Sequence, residues 1–281
     1  MITQRKNLIR RIVYTLLIIL TLIFILFKVL NSYVNDSLIK IGEIANTSDR
    51  VLFVFAHPDD EMTVAGTLAN LNKRKIPTAV ICLTKGEAGK TGGIVSKEKL
   101  GEERVKELKR VKSILGIDYL KILDFPDSGI LDTNPSLIKN AILTSIKEFN
   151  PTVIVSPDKT VGLYGHDDHR LTGLYVYELL KSSSLKKKFK YYMVTLPKPM
   201  INLALKMSPT FKNRYPKDPD KGLPKANFAV KINSFSSLKR KAMEAHKTQK
   251  QVIEKVMPYC MSIYPSIYFN IFDREYYHKV Y

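Results

Sequence analysis

The stretch Val51-Leu52-Phe53-Val54-Phe55-Ala56-His57-Pro58-Asp59-Asp60-Glu61 decides how this chain is read. Its first five residues are unbroken β-branched, aromatic and aliphatic side chains, the signature of a strand buried on both faces. The polar block that follows marks the strand's carboxyl end, where open α/β sheets bind their ligands. Taken alone, one histidine and three carboxylates at such a place read equally as a site or as a polar turn that caps a helix.

Working outward, β-rich runs alternate with helical periodicity. Val51–Phe55 precedes Glu61–Lys75, Thr78–Thr84 precedes Lys97–Leu115, Tyr119–Asp124 precedes Ser136–Phe149, and Val153–Ser156 precedes Leu171–Lys181. In the second helix Val105, Leu108, Val111 and Leu115 form one stripe, with Gly116 as its stop. Alternation of this kind predicts an α/β fold, a Rossmann-like three-layer sandwich with a mostly parallel sheet. Later stretches predict a strand at Tyr191–Leu196, a loop over 197–227 with its most flexible part at Lys206–Lys225, the run Phe228–Ile232, and one long helix from Phe235 to Val256.

Ahead of this domain, Ile12–Phe27 is an uninterrupted run of apolar residues, Tyr and Thr, continued past Lys28 by Val29-Leu30. About 20 such residues span a bilayer core. Arg5, Lys6, Arg10 and Arg11 precede the run, which places the N-terminus in the cytoplasm and the remainder across the membrane. A cleaved signal peptide is the alternative, but Asn31-Ser32-Tyr33 offers no small-x-small cleavage site. The expected organisation is a cytoplasmic tip and transmembrane signal anchor over 1–30, a tether over 31–49, and a catalytic domain over 50–281. Cell-membrane localisation with the catalytic domain outside the cytoplasm follows.

The net charge of +19 favours an acidic partner. The cationic runs Lys181–Lys190 and Lys239–Lys250 read either as solvated helix faces or as a surface leaning on an anionic membrane or anionic glycan. Nucleic acid is disfavoured, because no binding motif accompanies the charge. Cys82 and Cys260 are far apart and in no metal-ligand spacing, so no disulfide framework is expected. Oligomeric state is not legible.

A second cluster, Tyr164-Gly165-His166-Asp167-Asp168-His169, follows the fourth strand and therefore emerges on the same sheet edge as the first. The chain has five histidines, and three of them lie in these two loops. Imidazole and carboxylate are good zinc ligands, and three protein ligands with an open position make a catalytic site. Two histidines and a carboxylate also suit Fe(II).

AHPDDE after one strand and YGHxDH after a later one resemble the PIG-L/LmbE-like family, which includes de-N-acetylases of N-acetylglucosaminyl-phosphatidylinositol and of sugar precursors of low-molecular-weight thiols. Further matches are Leu83–Gly89, Gly101–Arg104 with Glu107, Asp124–Gly129, and Ala245–Gln249. The resemblance implies a metal-dependent hydrolase that removes the acetyl group from an N-acetylglucosamine-containing substrate. It implies His57, Asp60 and His169 as metal ligands and Asp59 as general base. It makes His166 an imidazolium near the oxyanion or acid to the leaving amine, with Asp168 orienting its ring and Tyr164 polarising the carbonyl. Arg104 is then a substrate contact or, on the residues alone, a surface partner of Glu107. Asp127 is a turn residue or a sugar-hydroxyl acceptor, and His246 a substrate contact or part of a solvated helix face. Asp167 stands where many relatives carry Pro. A phosphoesterase would need ligands for a second metal, which the strand ends do not supply, and a non-catalytic glycan-binding descendant would have lost a ligand or Asp59.

Overall fold

In the computed structural model, which describes residues 2–182 and 189–281, the strands are β1 (Lys40–Ile41), β2 (Val51–Phe55), β3 (Thr78–Thr84), β4 (Tyr119–Phe125), β5 (Val153–Pro157), β6 (Lys190–Thr195), β7 (Phe228–Lys231) and β8 (Arg274–Lys279). They form one sheet in the order β1-β7-β8-β6-β5-β2-β3-β4. All neighbours are parallel except at β8, which is antiparallel to both β6 and β7. The helices are α1 (Ile2–Val34), α2 (Ala65–Lys73), α3 (Leu100–Leu115), α4 (Pro135–Phe149), the kinked single turn α5 (Gly162–Gly165), α6 (Asp167–Lys181), α7 (Lys198–Met207), α8 (Pro209–Arg214), α9 (Ser236–Ala245), α10 (Lys250–Val256) and α11 (Pro265–Ile271).

Side chains of a strand alternate between faces, so a sheet covered on both sides needs apolar residues at every position. Both β2 and β3 meet this demand. Phe53, Phe55, Val80 and Cys82 join one buried cluster with α2, α3 and α9, while Leu52, Val54, Ala79 and Ile81 join the other with α4 and α6. Both cysteines are buried and free. The chain runs β2-β3-β4 to one side and then crosses to β5 on the other, so the strand order reverses between β2 and β5. That reversal places the loops after these two strands at one crevice, the position where open α/β sheets bind ligands.

Three sequence expectations need correction. The stretch 31–49 is not a loose tether: α1 runs on to Val34, Lys40 and Ile41 pair with β7, and Ile44, Ala45 and Asp49 are buried against the domain. The long helix expected from Phe235 to Val256 breaks at His246, because its side chain turns to Glu61 and the Thr248 amide turns to Glu107 instead of continuing the helical ladder. The 197–227 loop contains α7 and α8, and α8 packs on α5. Gly165 lies there at φ 85°, and a Cβ on it would meet the Arg214 carbonyl oxygen at 2.6 Å. Of the two cationic runs, Lys181–Lys190 falls mostly outside the described residues. In Lys239–Lys250, Lys239 and Arg240 are buried and engaged, whereas Lys241, Lys247 and Lys250 are exposed.

Among the described residues, one helix, over Ile9–Val34, is long and apolar enough to cross a membrane, and the protein buries none of that stretch's most apolar window.

Candidate active site and metal centre

The loop after β2 delivers His57, Asp59 and Asp60, and the loop after β5 delivers Tyr164, His166, Asp168 and His169. His57 Nδ1 and His169 Nε2 lie 3.0 Å apart, His169 Nε2 and Asp60 Oδ1 3.0 Å, and His57 Nδ1 and Asp60 Oδ2 3.9 Å. Ligand atoms of a tetrahedral zinc site, each about 2.0–2.1 Å from the ion, sit roughly 3.3 Å apart. The three side chains therefore have metal-ligand spacing without rearrangement.

The tautomer of His57 fits as well. Its Nε2 is 2.9 Å from Asp127 Oδ1 and 3.1 Å from Asp168 Oδ2, so that nitrogen carries a proton and Nδ1 is the one free to ligate. Carboxylates on the far nitrogen of a ligating histidine fix its ring and raise its basicity. Asp168 also accepts from the Ser128 amide at 2.7 Å, and Asp127 from the Ala88 amide at 2.8 Å. Asp127 is thus a partner of His57, and Asp168 orients His57, not His166 as the resemblance implied. His166 Nδ1 instead accepts from the Asp168 amide at 3.3 Å as the N-cap of α6. Nitrogens of His57, His166 and His169 all lie within 4.8 Å of one another, so His166 too stands within reach of an ion held by the other two. The rings of His166 and His169 stack at 4.9 Å, and the Tyr164 ring stands edge-on to His169 at 5.0 Å.

The charges follow from these contacts. Burial works against a charge on His57, but its bonds to Asp127 and Asp168 and the field of Asp60 outweigh it and hold its pKa up to about 10 in the metal-free protein. Burial opposes ionisation of Asp60 and Asp127 too, yet His169 and His57 hold Asp60 well below the carboxylate range, and His57 holds Asp127 down at about 2. Burial and the neighbouring charges of His169 and His57 push His166 down to about 4. In the metal-free protein that depression disfavours the imidazolium that the resemblance implied for His166. With Nδ1 accepting, the neutral ring carries its proton on Nε2. Burial keeps Tyr164 a neutral phenol.

Asp59 sits at φ 107°, ψ −18°, a backbone conformation that costs a non-glycine residue about 1–3 kcal/mol. Arg104 of α3 holds it. The guanidinium is buried, donates to Asp59 Oδ1 at 2.8 Å and to the Gly86 carbonyl at 2.7 Å, and also reaches the Pro58 carbonyl. It makes no surface pair with Glu107, which is itself fully buried and accepts from the Thr248 amide and hydroxyl. Burial, with Asp60 and Glu61 adding to it, raises the pKa of Asp59 despite Arg104.

His246 lies in this same layer, not on a solvated face. It is fully buried, its Nε2 is 2.5 Å from Glu61 Oε1, and Glu61 in turn accepts the Asp59 amide at 2.9 Å. Glu61 and Asp158 were not singled out from the sequence. Asp158 follows β5 and accepts from the amides of Thr160, Val161 and Leu163, shaping the loop that carries Tyr164 and His166. Its position directly after a strand was the available signal. Asp167 is exposed and pairs with Arg170 at 3.1 Å. His278, to which no role was given, bonds the Lys225 carbonyl.

Residues 52–180 match the family described as GlcNAc-PI de-N-acetylase, PIG-L. A probable N-acetyl-alpha-D-glucosaminyl L-malate deacetylase 2 of Bacillus anthracis is 37% identical over 150 residues, covering 51% of this chain and 65% of that protein. The diacetylchitobiose deacetylase of Thermococcus kodakarensis is 29% identical over 227 residues, covering 80% and 79%. Among solved structures, the N,N'-diacetylchitobiose deacetylase of Pyrococcus horikoshii superposes with a TM-score of 0.57 at 23% identity, covering 82% of this chain and 83% of that one, which shows the shared fold. The chain spans just under two thirds of the Bacillus relative. These relatives are named as deacetylases, and residues 52–180 of this chain are similar to the PIG-L family.

Proposed function

We propose that the chain is a membrane-anchored, metal-dependent hydrolase that removes the acetyl group from an N-acetylglucosamine-containing substrate. The observation that carries this reading is the placement of Asp59, a carboxylate with a raised pKa, directly beside the convergent His57, Asp60 and His169. These three would hold the ion, zinc by donor type and spacing, with Fe(II) compatible with the same set. A bound divalent ion would supply polarisation of the amide carbonyl and a lowered pKa for water.

The protein's own groups do the rest. Asp59 takes the proton from the attacking water and returns it to the leaving amine, and its raised pKa brings it closer to that task at neutral pH than an ordinary carboxylate. Neutral His166, protonated at Nε2, and the Tyr164 phenol donate to the carbonyl oxygen as negative charge develops there. Asp127 and Asp168 keep the His57 ring in its ligating tautomer. Arg104 holds Asp59 in place from behind, so its part is positioning and not substrate contact.

The run Ile9–Val34 acts as an uncleaved signal anchor in this reading. Support comes from Asn31 and Asn35 near its end, which donate to the carbonyls of Asn270 and Ile271 in α11 and would be lost by cleavage. The exposed Lys241, Lys247 and Lys250 then suit an anionic membrane or glycan. Acetate and free-amine release from a panel of N-acetylglucosamine derivatives, measured before and after chelation and metal return, tests the activity. Protease added to intact cells tests the orientation, with digestion of the domain expected.

A further inference from the structure

The apolar helix α1 ends in a turn that is docked on the domain. Asn31 donates to the carbonyls of Asn270 and Ile271 in α11, Asn35 donates to that of Ile271, and the Tyr276 hydroxyl donates to Asn35 Oδ1 at 3.0 Å. The level of this turn in a bilayer follows from helix length. A hydrocarbon core of roughly 30 Å takes about 20 residues at about 1.5 Å each. Counted from Ile12, which follows Arg10 and Arg11, that length ends at Asn31. A tilt of about 20° moves the boundary by only about one residue. The contact between α1 and α11 therefore stands where hydrocarbon gives way to lipid headgroups. Since α11 has seven residues, no part of its backbone lies more than about 10 Å from that boundary. The headgroup layer is itself about 5–8 Å deep, so α11 lies in or against it.

The sequence around α11 suits that layer. From Met257 to Phe272 there is no charged side chain, in a chain of which 25% is charged. The stretch is nevertheless not all interior, because Tyr259 is 62% exposed, Tyr264 71% and Ile267 43%. Tyr264, the residue that opens α11, is followed at three and seven residues by Ile267 and Ile271, so the three share one side of the helix. Met207, at the end of α7 and 47% exposed, borders the same apolar cavity as Tyr259 and Tyr268, and α7 packs on α1 as α11 does. Exposed apolar groups gathered in this way mark an interaction surface. Tyrosine in particular is favoured at the level of lipid headgroups.

We propose that Met207, Tyr259, Tyr264 and Ile267 enter the headgroup layer of the bilayer that α1 crosses. They give the catalytic domain a second membrane contact beside its anchor and so hold it in one orientation on the surface. The partner is the lipid surface itself. This inference rests on the reading of α1 as an uncleaved anchor.

The chain contains no tryptophan, so a single introduced one is an unambiguous reporter. The full chain in phosphatidylcholine nanodiscs would carry, one at a time, Ile267→Trp, Tyr264→Trp, Leu20→Trp in the middle of α1, and Leu137→Trp. Leu137 is exposed on α4, which covers the other face of the sheet from α11. The two α11 reporters should emit at blue-shifted wavelength, lose intensity to lipid bearing a nitroxide near its headgroup, and be shielded from aqueous iodide. Leu137→Trp should show the reverse, quenched by iodide and spared by the nitroxide. If the α11 reporters lose no more intensity to the nitroxide than Leu137→Trp does, the inference is overturned. Blue-shifted emission that neither quencher reaches overturns it too, since protein, such as a second copy of this chain, would then cover the patch. Leu20→Trp separates the anchor from the second contact. Lipid with a deep nitroxide should quench it, and if it does while the α11 reporters stay bright, only the second contact fails. If Leu20→Trp is not quenched, α1 does not span the bilayer, and the anchor reading fails together with this inference.

Discussion

Arg104→Gln is the most informative single change behind the site. The guanidinium donates to Asp59 and to the carbonyls of Gly86 and Pro58, and a neutral glutamine retains at most one of these contacts. Removing one member of a buried ion pair costs about 3–5 kcal/mol. That is a large part of the ~5–15 kcal/mol that stabilises an ordinary domain, so the variant should unfold at clearly lower urea concentration. The kinetic consequence has a definite sign. Burial raises the pKa of Asp59, Asp60 and Glu61 add to the rise, and Arg104 is the largest influence pulling it back. The base works only when ionised, so activity is lost as pH falls through this pKa. Without the cation the pKa climbs further, and the acidic limb of kcat/KM should move about 1–3 pH units towards alkaline. The assay is amine release against pH on variant protein shown to be folded and metal-loaded. A lower plateau with an unmoved acidic limb would show that Arg104 only props the loop and that Asp59 is not the titrating base.

Three further outcomes are expected. Asp168→Asn weakens the acceptor on His57 Nε2, and metal affinity measured against a competing chelator should fall about 10–100-fold; unchanged affinity would remove Asp168 from the support of the metal site. In the metal-free protein His57 holds its proton up to about pH 10, so metal uptake should release roughly one proton and tighten up to about tenfold per pH unit through neutrality, which calorimetry in buffers of different ionisation enthalpy would detect. His246→Gln leaves Glu61 buried without its cation and should cost about 3–5 kcal/mol of stability with KM unchanged. The pKa of His246 is raised on folding: burial opposes its charge and Glu61 outweighs that. The stability difference from the parent should therefore be full below about pH 6.5 and shrink as pH rises through the folded value.

The six strands read from β-rich runs lie where the structure has β2 to β7, most clearly at β2 and β3, whose every residue is buried and apolar or threonine. The short strand β1 and the aromatic β8 were missed. Lys40-Ile41 is too brief to show a period, and Arg274-Glu275-Tyr276-Tyr277-His278-Lys279 is a strand only because β6 and β7 flank it on either side. The 31–49 stretch looked like a tether since its polar composition conceals Ile39, Ile44 and Ala45, which are buried only in tertiary context. Within the site, motif spacing brought the His57 and His169 loops together, but it did not reveal which group each carboxylate serves. Asp127 and Asp168 converge on His57 from loops 40 residues apart, as the Ser128 amide bond to Asp168 shows. His246 is 185 residues from the Glu61 it pairs with, a separation at which no local pattern tells a buried partner from a solvated face.

The two loops of the site share a physical device. Asp59 stands at φ 107°, ψ −18°, and Leu163, beside Tyr164, at φ 67°, ψ −58°, both outside the regions that residues with a Cβ prefer. Such strain persists only where surroundings over-determine it. At Asp59 the amide is taken by Glu61, the preceding carbonyl by Arg104, and Glu61 itself is fixed by His246. At Leu163 the amide is taken by Asp158, which also binds the amides of Thr160 and Val161. Each strained residue is thus clamped by fully or nearly buried charged groups rooted at strand ends and on α3 and the α9 terminus. Beside these clamped loops, Asp60, Thr63, Leu163, Tyr164 and His169 border one small hollow. Rigidity of this kind would hold Asp59 and Tyr164 in place beside the residues proposed to bind the ion.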